Sequence, residues 1–212
     1  MNISINNLTL GYEGHTLFRG MSFEVKSGHK VCIDGPSGSG KSSLLRAMLG
    51  FVRPRAGSIT IDTQPVNHKT VWSLRHCIGY VTQEPDLGSQ SVLERIRQPF
   101  GYKANAHLEF NMDTLEAYLD QFKLPRILLS KQTTGLSGGE KQRIAIIIAL
   151  LLDRDLLLLD EPTSALDKES KQVLRDLLAN LHKTIVFISH EDVLLDIKDM
   201  TLQLQTAGGG HA

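Results

Sequence analysis

An α/β fold is predicted by three features of this chain. Short apolar runs end in charged or glycine-rich turns, amphipathic segments of helical period lie between them, and a glycine-rich loop, GPSGSGKSS at 35–43, joins one such run to one such segment. Residues 2–10 and 21–26 alternate apolar and polar side chains, predicting strands of a small N-terminal antiparallel sheet that turn around Gly11–Tyr12–Glu13–Gly14. Lys30–Asp34 predicts a short buried strand running directly into the glycine loop. Lys41–Phe51 has helical spacing through Leu44, Leu45, Met48 and Leu49, with a stop expected at Arg53–Pro54. Ser58–Asp62 and Ile78–Thr82 predict further strands.

Between Gln83 and Leu136 the character changes. Ser91–Gln98 and Met112–Phe122 read as amphipathic helices, with Val92, Ile96 and Phe100 offering one face to the core, and Pro99–Gly101 and Pro125 read as breaks. This stretch is expected to be a helical insertion, part of a helical subdomain at 84–152 within one domain spanning 1–205. From Ser137 a helix is expected to about Leu152, with Ile144, Ile147, Ile148 and Leu151 facing inward. A strand at Leu156–Asp160, a helix at about Lys168–Leu181, a strand at Thr184–Ser189 and a last strand near Thr201–Leu204 follow. The tail 206–212, TAGGGHA, is expected to be loose.

Composition narrows the functional classes. Apolar residues make up 41% and charged residues 22% of the 212, as in ordinary globular proteins. Lys+Arg and Asp+Glu both number 23, so no basic excess points to nucleic acid as a partner. Cys32 and Cys77 have no CxxC or Cys/His spacing and are expected to be buried free thiols. The opening MNISINNLTL alternates like a strand rather than running apolar like a secretory leader. The most apolar stretch, Ile144–Leu152, is far short of the ~20 residues a membrane-spanning helix requires.

Three segments carry chemistry. Gly35, Pro36, Ser37, Gly38, Ser39, Gly40, Lys41, Ser42 and Ser43 meet the phosphate-loop pattern, with a strand before and a helix after. The glycines allow successive backbone N–H groups to face phosphate oxygens, and the positive end of the following helix adds to the field. Lys41 is expected at the β and γ phosphates, and the Ser42 hydroxyl on Mg²⁺. Leu156–Glu161 places Asp160 and Glu161 at a strand's C-terminal edge, where open α/β sheets bind ligands. Asp160 is a candidate for holding Mg²⁺ and Glu161 for polarising an attacking water. Ser137, Gly138, Gly139 and Glu140 form an S-x-x-E capping box. The cap accounts for Ser137 and Glu140 but not for two consecutive glycines, which cost roughly 1 kcal/mol each in a helical turn. Close approach of a phosphate to bare backbone would account for them.

The phosphate loop, VTQEP at 81–85, LSGGEKQR at 136–143, LLLLDEPTSALD at 156–167 and ISH at 188–190 occur in that order. In this the chain resembles the nucleotide-binding subunits of ATP-binding cassette (ABC) transporters over residues 2–205. The resemblance implies a phosphate-loop NTPase fold of ABC type with a mixed central sheet, an N-terminal antiparallel β subdomain and an inserted helical subdomain. It implies a head-to-tail homodimer that closes on two ATP molecules with Mg²⁺, each ATP held between one chain's phosphate loop and the other's Ser137–Glu140. It implies roles for Gln83 on Mg²⁺ and the attacking water, for His190 as the switch histidine at the γ-phosphate, for Asp167 in communication across the dimer and for Tyr12 stacked on adenine. Outside that resemblance His190 could simply begin a helix, Asp167 could be an N-cap and Tyr12 could pack between strands.

The expected activity is ATP hydrolysis that drives a separate polytopic permease from the cytoplasmic face of the inner membrane. The run FKLPRILLSKQTTGLSGGEKQR at 122–143 resembles the small stand-alone bacterial ATPases of iron export. The alternative is a soluble ABC ATPase acting on DNA or ribosomes. DNA-acting members separate these motifs by long coiled coils and ribosome-acting members carry two cassettes; one motif set without heptads fits neither. A phosphate-loop kinase would have no use for LSGGE.

Overall fold

The four leucines of Leu156–Asp160 are all buried, alternately toward two different hydrophobic cores, and the sheet they belong to organises the chain. The computed structural model describes residues 1–12 and 14–205. The expected loose tail at 206–212 and position 13 of the expected turn lie outside the described residues. In chain order the elements are β1 (Ile3–Tyr12), β2 (His15–Val25), β3 (Lys30–Asp34), α1 (Lys41–Met48), β4 (Ala56–Ile61), β5 (Gln64–Pro65), α2 (Val71–Arg75), β6 (Ile78–Val81), α3 (Val92–Arg97), α4 (Met112–Gln121), α5 (Gly138–Leu151), β7 (Leu156–Asp160), α6 (Lys168–Asn180), β8 (Thr184–Ile188), α7 (Asp192–Leu195) and β9 (Met200–Gln203). Short 3₁₀ turns lie between α3 and α4 and between α4 and α5.

Two sheets form. The central one has five strands in the order β6-β7-β8-β3-β9, and all four of its pairings are parallel. The expectation of a mixed central sheet is therefore corrected for the described residues. The antiparallel strands pair among themselves in a separate four-stranded sheet, β2-β1-β4-β5. The reason lies in the connections. β1 and β2 are joined as a hairpin and β4 returns beside β1, whereas the central strands after β3 are each reached through intervening helical segments.

Period-two alternation assigns the faces. Leu156 and Leu158, Val186 and Ile188, and Val31 and Ile33 pack with α1 and the antiparallel sheet. Leu157 and Leu159, Ile185 and Phe187, and Cys32 pack with the helices of the insertion and of α5–α7. Burial on both faces explains why the central strands read as continuous apolar runs.

Helix ends differ from the sequence reading for identifiable reasons. α1 stops before Phe51 because Gly50, at φ 69°, closes a Schellman motif in which the Gly50 and Phe51 N–H groups donate to Ala47 and Arg46. α3 begins at a capping box, Ser91 with Glu94, and ends at Arg97, where Pro99 enters a 3₁₀ turn. Phe100 consequently leaves the Val92–Ile96 stripe and packs edge-on against Phe110 at 5.4 Å. α5 is buried nearly all round, on Ile146 and Leu150 as well as Ile144 and Ile147, rather than along one stripe. Both cysteines are free, but Cys77 is only half-buried. No helix among the described residues is long and apolar enough to cross a membrane.

Candidate functional site

Parallel pairing places the C-terminal ends of β6, β7, β8 and β3 side by side, and the residues that follow them form one edge. After β3 the chain turns through Gly35, Gly38 and Gly40, with φ of 150°, 78° and 98°. Those values favour glycine at each position, and a Cβ on Gly35 would also meet the Leu204 carbonyl at 2.6 Å. Pro36, Ser37 and Gly38 form an exposed rim, while Ser39 is fully buried with its hydroxyl unpaired. Gly40 is the left-handed N-cap of α1 and supplies no side-chain cap, so the first N–H groups of the helix face the cradle.

Lys41 is only 8% exposed, and its ammonium donates to the Gly35 and Pro36 carbonyls at 2.7 and 3.3 Å. The Ser42 hydroxyl donates to Asp160 Oδ1 at 3.0 Å, joining the loop's helix to the end of β7. Ser43 Oγ lies 3.0 Å from the Tyr12 hydroxyl, and the Tyr12 ring is 50% exposed beside the loop. Core packing between strands is thus not what Tyr12 does.

Asp160 is 4% exposed, and burial pushes its carboxyl above the usual range, against the lowering effect of the Ser42 hydrogen bond. The next residue, Glu161, has φ 46°, a strained value for a residue with a Cβ. Its N–H bonds the Ile188 carbonyl at 3.1 Å, while its carboxylate accepts from Gln83 Nε2 at 3.0 Å. His190 follows β8 with its side chain 56% exposed and Nδ1 3.7 Å from Asp34. Gly35–Ser43, Tyr12, Gln83, Asp160, Glu161 and His190 are thus linked around this edge.

Ser137–Glu140 and Asp167 are not joined to that edge by any hydrogen bond among the described residues. Ser137 accepts the Glu140 N–H, and Glu140 accepts the Ser137 N–H at 2.8 Å, which holds the Glu140 carboxyl below its ordinary range. The two glycines differ. A Cβ on Gly139 would meet the Ala165 carbonyl at 2.8 Å, so internal packing requires that one, whereas nothing lies within 4 Å of a Cβ on Gly138. Asp167 does cap α6: it accepts from the Ser170 N–H at 2.8 Å, which lowers its pKa, and pairs with Arg143 at 2.9 Å.

The sequence reading missed Asp34, Gln142 and Arg143. Gln142 is fully buried on α5, its Nε2 3.4 Å from the carbonyl of Thr82, the residue before Gln83. Arg143 ties α5 to the start of α6. An acid directly ahead of the glycine loop and a glutamine at an inward helical position were the available signals.

The family model described as ABC transporter matches residues 18–164. The chain belongs to the ABC transporter family. The cassette is 31% identical over 191 residues to the energy-coupling factor transporter ATP-binding protein EcfA1 of Mycoplasma pneumoniae, covering 89% of this chain and 70% of that protein. It is 34% identical over 200 residues to the ATM1-type heavy metal exporter of Novosphingobium aromaticivorans, covering 89% of this chain and 32% of the exporter. Among the first curated relatives it matches, the chain spans between 15% and 32% of their length. A solved dimeric ATP-binding cassette in a post-hydrolysis state, with ADP and phosphate bound, superimposes with a TM-score of 0.80 at 26% identity, over 96% of this chain and 94% of that one. The chain is an ABC ATPase domain.

The buried Asp160 carboxylate works against the stability of this domain. Its folded carboxyl holds a proton more tightly than the unfolded one, so the penalty is absent below the ordinary value, about 3.9, and fully present above the raised one. Asp160→Asn keeps an acceptor for Ser42 and removes the charge. Thermal melts of the nucleotide-free protein should show the variant melting above wild type at about pH 8, the gap closing toward about pH 4. A variant that melts lower at the alkaline end would contradict the burial penalty.

Proposed function

We propose that the cassette is the ATP-hydrolysing subunit of a membrane transporter, closing as a head-to-tail homodimer on two ATP molecules and driving a separate polytopic permease. Its place is peripheral, on the cytoplasmic face of the inner membrane. One observation carries this reading. The candidate hydrolytic groups converge on one sheet edge, whereas Ser137 and Gly138 present a second glycine-rich helix start, exposed and unconnected to that edge. Gly138, which the chain's own packing does not require, is the position where a partner chain's nucleotide phosphate meets bare backbone.

In this reading Lys41 and the loop N–H groups bind the β and γ phosphates, and Tyr12 stacks on adenine. Glu161 accepts a proton from water as its oxygen bonds to the γ-phosphorus and the bond to the bridging oxygen breaks, releasing ADP and phosphate. His190 donates a hydrogen bond to the γ-phosphate. In the structure the Glu161 carboxylate is engaged by Gln83, so the position of Gln83 governs whether the base is free for water.

Ser42, Gln83 and Asp160 offer a hydroxyl, an amide oxygen and a carboxylate, hard donors that fit Mg²⁺. No cluster of three or more His, Cys, Asp or Glu with metal spacing exists among the described residues, and a Mg²⁺ site completed by substrate phosphates does not need one. When bound with ATP, Mg²⁺ supplies charge neutralisation at the transferring phosphoryl group. Asp167 acts through Arg143, which connects it to the helix that Ser137 caps.

A hollow lined by Thr82, Glu84, Pro85, Leu87, Arg95 and Ile148 lies beside Gln83, between the end of β6 and the helical insertion. In this reading the permease docks there. Metal is the cargo that the 122–143 resemblance and the ATM1-type relative favour.

Glu161→Gln should bind ATP, hydrolyse it at least about a hundredfold more slowly, and accumulate as a dimer. Light scattering with and without Mg-ATP reads this, and a variant that stays monomeric at high concentration contradicts the sandwich. Co-expression with the permease should raise ATP hydrolysis in lipid, and Gln83→Ala should reduce that stimulation more than it reduces ATP affinity. Full stimulation in the variant would remove Gln83 from the coupling route. If no membrane protein stimulates, a soluble ABC ATPase becomes the better reading.

A further inference from the structure

Among the described residues, Asp34 is an acid bonded to the phosphate loop itself that the proposed reaction does not use. It ends β3, and β3 pairs with β8 so that Ile33 stands opposite Ile188. The register therefore sets Asp34 beside Ser189 and His190. Its backbone is clamped, the carbonyl accepting the Leu204 N–H at 2.7 Å. Its carboxylate is aimed as well: Oδ1 accepts the Gly35 N–H at 2.7 Å, and the same oxygen lies 3.7 Å from His190 Nδ1. His190 is the sole ion-pair partner of Asp34 among the described residues.

A carboxylate here carries an electrostatic cost in any site that binds phosphates, since like charges repel across a partly desolvated edge. Receiving one N–H from Gly35 does not demand a charge; an asparagine would do that. A carboxylate facing Nδ1 adds what asparagine lacks, an acceptor that favours a proton on that nitrogen. The geometry points to Asp34 as a positioning residue that holds His190 by Nδ1 and leaves Nε2 for the γ-phosphate, an inference that rests on the hydrolytic reading of this edge. With Nδ1 turned to the carboxylate, the ring presents Nε2 to the phosphate, and its orientation is set by the anion that belongs to the protein.

The test is a double-mutant cycle on the full chain, read by steady-state ATP hydrolysis at varied Mg-ATP. Asp34→Val should lower kcat roughly tenfold, the usual scale for losing a partner that orients a functional histidine, with KM within about twofold of wild type. Asp34→Asn, which keeps the Gly35 hydrogen bond and loses the charge, should fall between the two. His190→Ala should lower kcat at least as far as Asp34→Val, and adding Asp34→Val to it should change kcat by less than about twofold. An equal loss from Asp34→Val in both backgrounds would make Asp34 a loop residue acting without His190 and overturn the inference, as would wild-type kcat in Asp34→Val. Wild-type kcat in His190→Ala would overturn the role of His190 itself, and the inference with it.

Discussion

A buried ammonium needs partners, and much of this molecule can be understood from how Lys41 gets them. At 8% exposure its charge cannot be left to water, and the glycine loop curls so that the Gly35 and Pro36 carbonyls receive it. That curl requires the left-handed backbone at Gly38 and Gly40, and Gly40 in turn starts α1 without a side-chain cap. The N–H groups left open at the helix start and the lysine beside them form a cradle with a fixed positive field. Opposite the cradle, β7 delivers Asp160 into a buried position where its carboxyl is disfavoured as an anion and held by the Ser42 hydroxyl. The lysine is satisfied by the loop, whereas the acid is poorly served by the protein alone, as expected of a carboxylate placed to meet a cation.

The second motif shows how one stretch can answer to folding and to function at once. The capping box of α5 accounts for Ser137 and Glu140, and packing against Ala165 accounts for Gly139. Only Gly138 is left without a reason inside the chain. Arg143, in the second turn of the same helix, holds Asp167, so the start of α5 and the start of α6 are tied together. Gln142, its neighbour, reaches the carbonyl of Thr82 and so touches the segment that carries Gln83. The segment that carries Gln83 is therefore hydrogen-bonded to the helix that begins at Ser137.

Much of the fold was legible because the central strands are buried on both faces. Lys30–Asp34 and Leu156–Asp160 match their predicted limits, since an apolar run bounded by charge or glycine leaves little freedom. The hairpin strand β2 was read too short because His15–Gly20 does not alternate; cross-strand pairing with β1 carries it instead. The end of α1 was missed because a Schellman glycine looks like any other glycine in a sequence. α2 and α7 were missed because five and four residues are too few to show a helical period. At the site, contiguous motifs were visible and pairs assembled by the sheet were not. Nothing in the spacing of Asp34 and His190, or of Gln83 and Glu161, announces that they meet.

The claim on which the whole account turns is that Lys41 and its loop bind the β and γ phosphates of ATP. Calorimetric titration of Lys41→Ala with Mg-ATP, on protein whose far-UV circular dichroism matches wild type, tests it most directly. The account predicts that tight binding is lost, with affinity reduced by at least about a hundredfold, the scale of removing a charge-assisted contact from a desolvated site. Near-normal affinity in that variant would contradict the assignment of this edge as the nucleotide site.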